Sequence, residues 1–102
     1  MNFIIDDETE CFVGGEHLFF ISHSITWSVN LTDKNAKDFI DFLQNEFDEK
    51  NSGSLIFFKE SDEGMSNVII DCLQTRFVVT AKNETLNGLA NFIKQEWFKQ
   101  NG

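Results

Sequence analysis

The side chains that could carry chemistry are few and loosely spaced. His17, His23, Cys11 and Cys72 cover the ligand types that soft metals favour, but none has the short paired spacing of a zinc site. They read instead as surface or sheet-edge histidines and small buried thiols. His23 and Ser24 are adjacent, which in a strand sends their side chains to opposite faces and separates a nucleophile from its base. Gly14-Gly15 lacks the rest of a phosphate-loop pattern and no helix start follows it. The carboxylates Asp6, Asp7, Glu8 and Glu10 are close enough in sequence for acid-base work, yet they fall in what reads as an open turn where nothing would raise a pKa. The expectation is a chain that is not an enzyme, with no catalytic residue, no cofactor and no metal.

What the composition offers in place of a reaction is charge. The 102 residues carry a formal net charge of −9, and nearly all of the surplus falls in residues 1–50. Phosphate binding needs a basic footprint, so this field argues against nucleic acid. It suits steering toward a basic protein, although solubility alone is a sufficient reason for negative charge. Two clusters hold most of these acids: Asp6, Asp7, Glu8 and Glu10 in the early turn, and Asp38, Asp41, Asp48 and Glu49 around Phe42. An aromatic ringed by carboxylates fits a contact hot spot, with Phe42 as anchor and the acids setting approach and orientation. The competing reading places Phe42, like its counterpart Phe92, in a widened core-facing stripe.

The second cluster needs a helix to present it. Ala36, Phe39, Ile40, Leu43 and Phe47 recur at the spacing that gathers one face of a helix, which the sequence predicts over Thr32–Lys50. Thr32 is placed to cap it, Asp33 suits its positive end, Lys50 its negative end, and Gly53 stops the chain beyond. Before it come short strands at Asn2–Asp6, Cys11–Val13 and His17–Ser22. The clearest strand follows, where Ile25, Trp27, Val29 and Leu31 alternate with polar residues. After Gly53, Ser54–Glu60 reads as a strand apolar on both faces, which suits a central position or a covered second face. Asn67–Cys72 is a strand on the β-branching of Val68, Ile69 and Ile70, although Met65, Val68, Ile69, Cys72 and Leu73 also fit a helix. Arg76–Ala81 is a strand, and Asn83 opens a second helix with the stripe Leu86, Leu89, Ala90, Ile93 and Trp97, weakened by Gly88.

Laying Gly64 on Gly14 brings Val68 and Ile70 onto Leu18 and Phe20, Phe77 and Val79 onto Trp27 and Val29, and Trp97 onto Phe47. Each half then reads as strands followed by a helix. The predicted fold is a single α+β domain over 1–102, a two-layer sandwich with an antiparallel or mixed sheet of about six to seven strands and two helices on one face. A tandem strand-strand-strand-helix repeat is built into that layout. No apolar run approaches the roughly 20 residues of a spanning helix, so no membrane partner is expected. Met1–Ile5 leads into Asp6-Asp7-Glu8 without the basic start and apolar stretch of an export signal, which makes the cytoplasm the expected compartment and reduced cysteines the expected state.

In size, acidity and small α+β layout without catalytic motifs, the chain resembles the bacterial immunity proteins that neutralise polymorphic toxins, including those of contact-dependent growth inhibition. The parts that fit are the Asp6-Asp7-Glu8-Thr9-Glu10 turn and the Asp38, Asp41, Asp48, Glu49 face. The resemblance implies a basic toxin domain as partner, often a nuclease, whose phosphate-binding groove would be filled by carboxylates. A monomer suffices for that task. The alternative is a small acidic secretion chaperone, which would dimerise and hold an unfolded segment along apolar grooves. A small metal-dependent enzyme is a third class, and it requires bound zinc.

Overall fold

The computed structural model describes residues 2–73 and 75–102. Eight strands and two helices follow one another in a repeated order: β1 (Phe3–Asp6), β2 (Thr9–Gly14), β3 (His17–Ser22), β4 (Ile25–Asn30), α1 (Asp33–Gln44), then β5 (Glu49–Ser52), β6 (Leu55–Asp62), β7 (Met65–Cys72), β8 (Thr75–Lys82), α2 (Asn83–Asn101). The chain is α+β, as its pattern predicts. Its strands form two separate sheets, each an antiparallel meander in sequence order, β1-β2-β3-β4 and β5-β6-β7-β8. The repeat unit therefore has four strands before its helix, one more than the strand-strand-strand-helix unit, although the first half already reads as four. The total of eight exceeds the predicted six to seven by the strand β5, because the pattern carries the first helix through Glu49 and Lys50 toward a stop at Gly53.

Alternation decides which face of each sheet is buried. In β2, Cys11 and Val13 point inward, in β3 Leu18 and Phe20, in β6 Leu55 and Phe57, and in β7 Val68 and Ile70, all buried. Tight two-residue turns join β3 to β4 and β6 to β7. His23 and Ser24 both have positive φ (50° and 67°), as do Glu63 and Gly64 (49° and 81°), the backbone hand that matches the twist of paired strands. Asn67–Cys72 lies wholly inside β7, so β-branching outweighs the competing helical spacing. β6 lies between β5 and β7, as its two apolar faces imply.

The helices do not share one face of one sheet. α1, which follows the first sheet in sequence, packs on β5 and β6 of the second, while α2 packs on β1 and β2 of the first. Each half thus covers the other. Phe39 and Phe42 of α1 meet Phe57 of β6 at 4.8 and 5.6 Å between ring centroids. Phe92 of α2 meets Phe3 of β1 at 5.6 Å. Gly88 belongs to the same contact, since a Cβ there would lie 3.1 Å from the Phe3 ring, and the helix accepts a poor former in exchange for close approach. The helices also pack on each other. The sheets touch directly where Phe77 of β8 stacks on Phe20 and Trp27 at 4.6 and 4.8 Å. One continuous core results, and the radius of gyration, 12.4 Å, is that of one compact unit of this length.

α1 starts as predicted and stops early. Thr32 Oγ1 accepts the Asn35 N–H at 3.1 Å, and Asn35 Oδ1 accepts the Thr32 N–H in return, a reciprocal cap. The helix ends at Gln44 and not at Lys50. Lys59 of β6, and not Lys50, sits on its negative end, donating to the carbonyls of Phe42 at 2.9 Å and Asn45 at 2.8 Å. The Asn45 side chain takes the Asp41 carbonyl at 2.8 Å. With these carbonyls occupied the chain leaves the helix, and Phe47, aligned by spacing with the core stripe, lies outside it and 38% exposed.

Candidate functional site

The two predicted acidic clusters do not make one surface. Asp6, Asp7 and Glu8 are exposed at the β1–β2 turn, beside sheet one, whereas the α1 acids lie over sheet two. In the turn, Asp6 Oδ1 accepts the Glu8 N–H at 2.8 Å, and Glu8 reaches His23 at 2.9 Å across the end of the sheet. Glu10 faces out of β2, half-buried, near the Asn2 amide.

On α1 the expected binding face is internally satisfied. Asp38, only 18% exposed at its side chain, accepts from Lys34 Nζ at 2.9 Å and from Ser52 Oγ at 2.8 Å. Burial works to raise its pKa, but those two hydrogen bonds, with the charges of Lys34 and Lys50, outweigh it and hold the carboxyl below the usual range. Ser52 also takes the Asn35 amide at 2.8 Å, so Asp38, Ser52 and Asn35 form a polar anchor between α1 and β5. Asp41 is paired with Lys50 at 3.4 Å and accepts from the Asn45 amide at 2.8 Å. Phe42 is fully buried and cannot anchor a partner. The arc of α1 covered by β6 and α2 is wider than the stripe that spacing suggests, so both Phe39 and Phe42 fall within it.

Asp48 remains, in a groove that local sequence does not announce. The groove, about 560 Å³, opens where α1 ends, and is walled by the loop Asn45–Asp48 and by Asn83, Leu86 and Asn87 of α2. Its floor is the β6–β7 hairpin, with Lys59, Ser61 and the buried Ser66. Ser61 and Ser66 share a hydrogen bond of 2.8 Å, and Ser66 donates to the Asn83 side chain. Burial lowers the pKa of Lys59 while Asp48 and Glu46 oppose the fall, and its hydrogen bonds go to the carbonyls of Phe42 in the last turn of α1 and of Asn45 just beyond it. Two shallower depressions continue the surface along the hairpin tip, lined by Glu60, Asp62, Glu63 and Glu84 together with Lys82. Among the described residues, neither Glu46 nor Asp48, nor any of Glu60, Asp62, Glu63 and Glu84, takes part in an ion pair.

This is the acidic surface that sequence reasoning missed. Glu46 falls inside the helix that the pattern predicts and Glu60 at the end of a predicted strand, so neither stands out in the sequence as a contact. Glu46 and Asp48 line the groove, while Glu60 and Asp62 alternate with Ser61 and stand on the outer face of the same hairpin, in line with Phe58. The signal that could have found the hairpin acids is the run Glu60-Ser61-Asp62-Glu63, three carboxylates in four residues next to a reversal. Glu49, the remaining predicted contact, is exposed on β5 opposite Phe58.

The metal candidates do not converge. Among the described residues no three His, Cys, Asp or Glu side chains are grouped to hold an ion. Cys11 is buried and Cys72 half-buried, both as free thiols, and burial pushes the Cys11 pKa far up, which leaves an unreactive thiol. No helix among the described residues is long and apolar enough to cross a membrane. Compared with models of known families, with characterised proteins and with solved structures, the chain has no match.

Proposed function

We propose that the chain is a protein-binding inhibitor of the immunity kind, which meets a basic partner domain, a nuclease toxin being the class that fits best. The reading rests chiefly on the carboxylates Glu46, Asp48, Glu60, Asp62 and Glu63, which lie without ion-pair partners around one groove and one hairpin tip. A positive cleft made for phosphates is complementary to such a surface, and long-range attraction would speed encounter. The contact region moves accordingly from the α1 face to the groove and the β6–β7 tip. Asp38 and Asp41 become structural. The β1–β2 turn, with Asp6, Asp7, Glu8 and Glu10, is a second and smaller acidic surface.

The test is to identify the protein that co-purifies with the tagged chain and to ask whether co-expression protects cells from it. A harmless or acidic partner removes the reading. Reversing Glu46, Asp48 and Asp62 together should slow association by at least about tenfold at low salt and much less at high salt. Reversing Asp6 and Asp7 instead should have the smaller effect, and the opposite ranking would move the contact to the β1–β2 turn.

One observation favours the chaperone reading. Phe58, Ile69 and Val78 stand in register across β6, β7 and β8 on the outer face of the second sheet, and Val78 is 51% exposed. An apolar row on an open sheet face is the kind of surface that holds an extended segment or a second copy. That reading requires a dimer whose association is insensitive to salt and is lost in Val78→Lys.

A further inference from the structure

We propose that the groove at the end of α1 receives the last turns of a basic amphipathic helix from the partner, in the place that α2 fills for itself in the other half. This deepens the protein-binding reading and rests on it, without requiring the partner to be a toxin. The first half supplies the template. There α2 runs on past the level where α1 stops, burying Trp97 and laying its end against the β2–β3 hairpin. Gln100 donates to the Val13 carbonyl at 3.1 Å and accepts the Gly15 N–H at 2.9 Å, and Asn101 donates to the Gly15 carbonyl.

The second half has the same hairpin and no helix end upon it. Val13 pairs with Leu18, and Val68, which aligns with Leu18, pairs with Lys59, so pairing puts Lys59 in the place of Val13 where the sequence offset puts Glu63. Where α2 passes over Val13, the Lys59 ammonium holds the final carbonyls of α1. Beyond that level β6 and β7 continue through two pairs that β2 and β3 lack, Ser61 with Ser66 and Asp62 with Met65. The volume, about 560 Å³, lies over this extension and is within the ~300–1,000 Å³ of ligand-holding clefts.

The chain cannot fill the space itself. Glu49–Ser52 is committed to pairing with β6, and Lys59 and Asn45 already occupy carbonyls that a longer α1 would use. A second copy is disfavoured because it would bring the same surplus negative charge. The occupant is therefore foreign. Lysine or arginine would face Glu46 and Asp48, an aromatic or long aliphatic side chain would lie against Phe47 and Leu86, and a terminal amide would reach the hairpin hydroxyls.

The probe is a hydrocarbon-stapled, acetylated peptide with the sequence of residues 89–101 and its glutamate exchanged for lysine, titrated into the isotope-labelled full chain. The expected result is movement of the amide signals of Ser61, Ser66, Asn83 and Asn87, with a Kd of about 100 μM that weakens at least tenfold on raising salt from about 0.05 to 0.5 M. Asn87→Trp, which fills the groove from the exposed side of α2, should abolish these shifts, and Asp48→Lys should weaken binding at least about fivefold should the larger variant fail to fold. No shift at about 1 mM peptide, shifts confined to the β1–β2 turn, or shifts indifferent to both variants would overturn the groove as a helix receptor. Such a failure leaves the inhibitor reading to the co-expression test, which does not depend on where the partner sits.

Discussion

The first sheet is closed at its β2–β3 end and the second is open at its β6–β7 end, although the two halves share strand order and helix position. Trp97 and Phe47 occupy matching places in the alignment of the halves, yet Trp97 is 2% exposed inside a helix and Phe47 is 38% exposed in a loop. The difference comes from one residue below each helix. An apolar Val13 lets α2 continue over the sheet, while Lys59 binds the carbonyls of α1 and ends it. The same topology therefore yields a plugged end and a grooved end. The grooved end also collects carboxylates from both halves, because α1 lies on the sheet that follows it.

The largest effect tests the exchange of helices on which the comparison depends. Residues 1–46 made alone have a sheet without the helix that covers it, and residues 47–102 have the same defect. Each should lack a cooperative unfolding transition as a monomer, and an equimolar mixture should recover the spectrum of the intact chain. A separate half that folds and remains monomeric would break the account. Next in size comes the matched pair of aromatics. Trp97→Ala should cost about 3–5 kcal/mol in urea unfolding, whereas Phe47→Ala should stay within about 1 kcal/mol. Trp97→Phe should be far milder than Trp97→Ala, since it keeps a ring and drops an indole N–H that is buried without an acceptor among the described residues.

Local pattern carried the α+β class, most strand positions and the start of both helices, because alternation, β-branching and capping act over a few residues. β7 was legible in Val68, Ile69 and Ile70 for that reason. β5 was not, since Glu49-Lys50-Asn51-Ser52 contains no apolar residue. Its inward side chains, Lys50 and Ser52, are held by Asp41 and by the Asn35 and Asp38 pair of α1. The end of α1 was hidden too, because its stripe continues through Phe47 while the residue that stops it lies fifteen positions beyond Gln44, on β6. Of the predicted contacts only Asp48 lines the groove. Charge could be counted from the chain, but pairing and burial removed Asp38, Asp41 and Phe42, and topology brought in Glu46, Glu60, Asp62 and Glu63.

Lys59 gives the third test. Lys59→Met keeps the stem and removes two hydrogen bonds to helix carbonyls, so unfolding should be easier by about 1–3 kcal/mol. Hydrogen exchange at Phe39–Gln44 should quicken more than anywhere in α2. Uniform acceleration across both helices would mean that the ammonium does not set the end of α1, and the contrast between the halves would need another cause.

The smallest effect belongs to Asp38, and it separates an anchoring carboxylate from a binding one. Its pKa in the fold lies below its unfolded value of about 3.9. The ionised form is therefore favoured by folding, so its contribution is fully present above pH ~4 and is lost as pH falls through the lower folded value. Asp38→Asn should cost about 1 kcal/mol at neutral pH, and the difference between the two proteins should shrink on acidification below pH ~4. The first half has no equivalent anchor to lose, since Gly88, at the position matching Asp38, packs by apolar contact with Phe3. Acid should accordingly loosen the contact of α1 with β5 before that of α2 with β1, which amide exchange at pH ~3 resolves residue by residue. If α2 loosened first, Asp38 would not hold the second half together, and its carboxylate would return to the list of surface acids available to a partner.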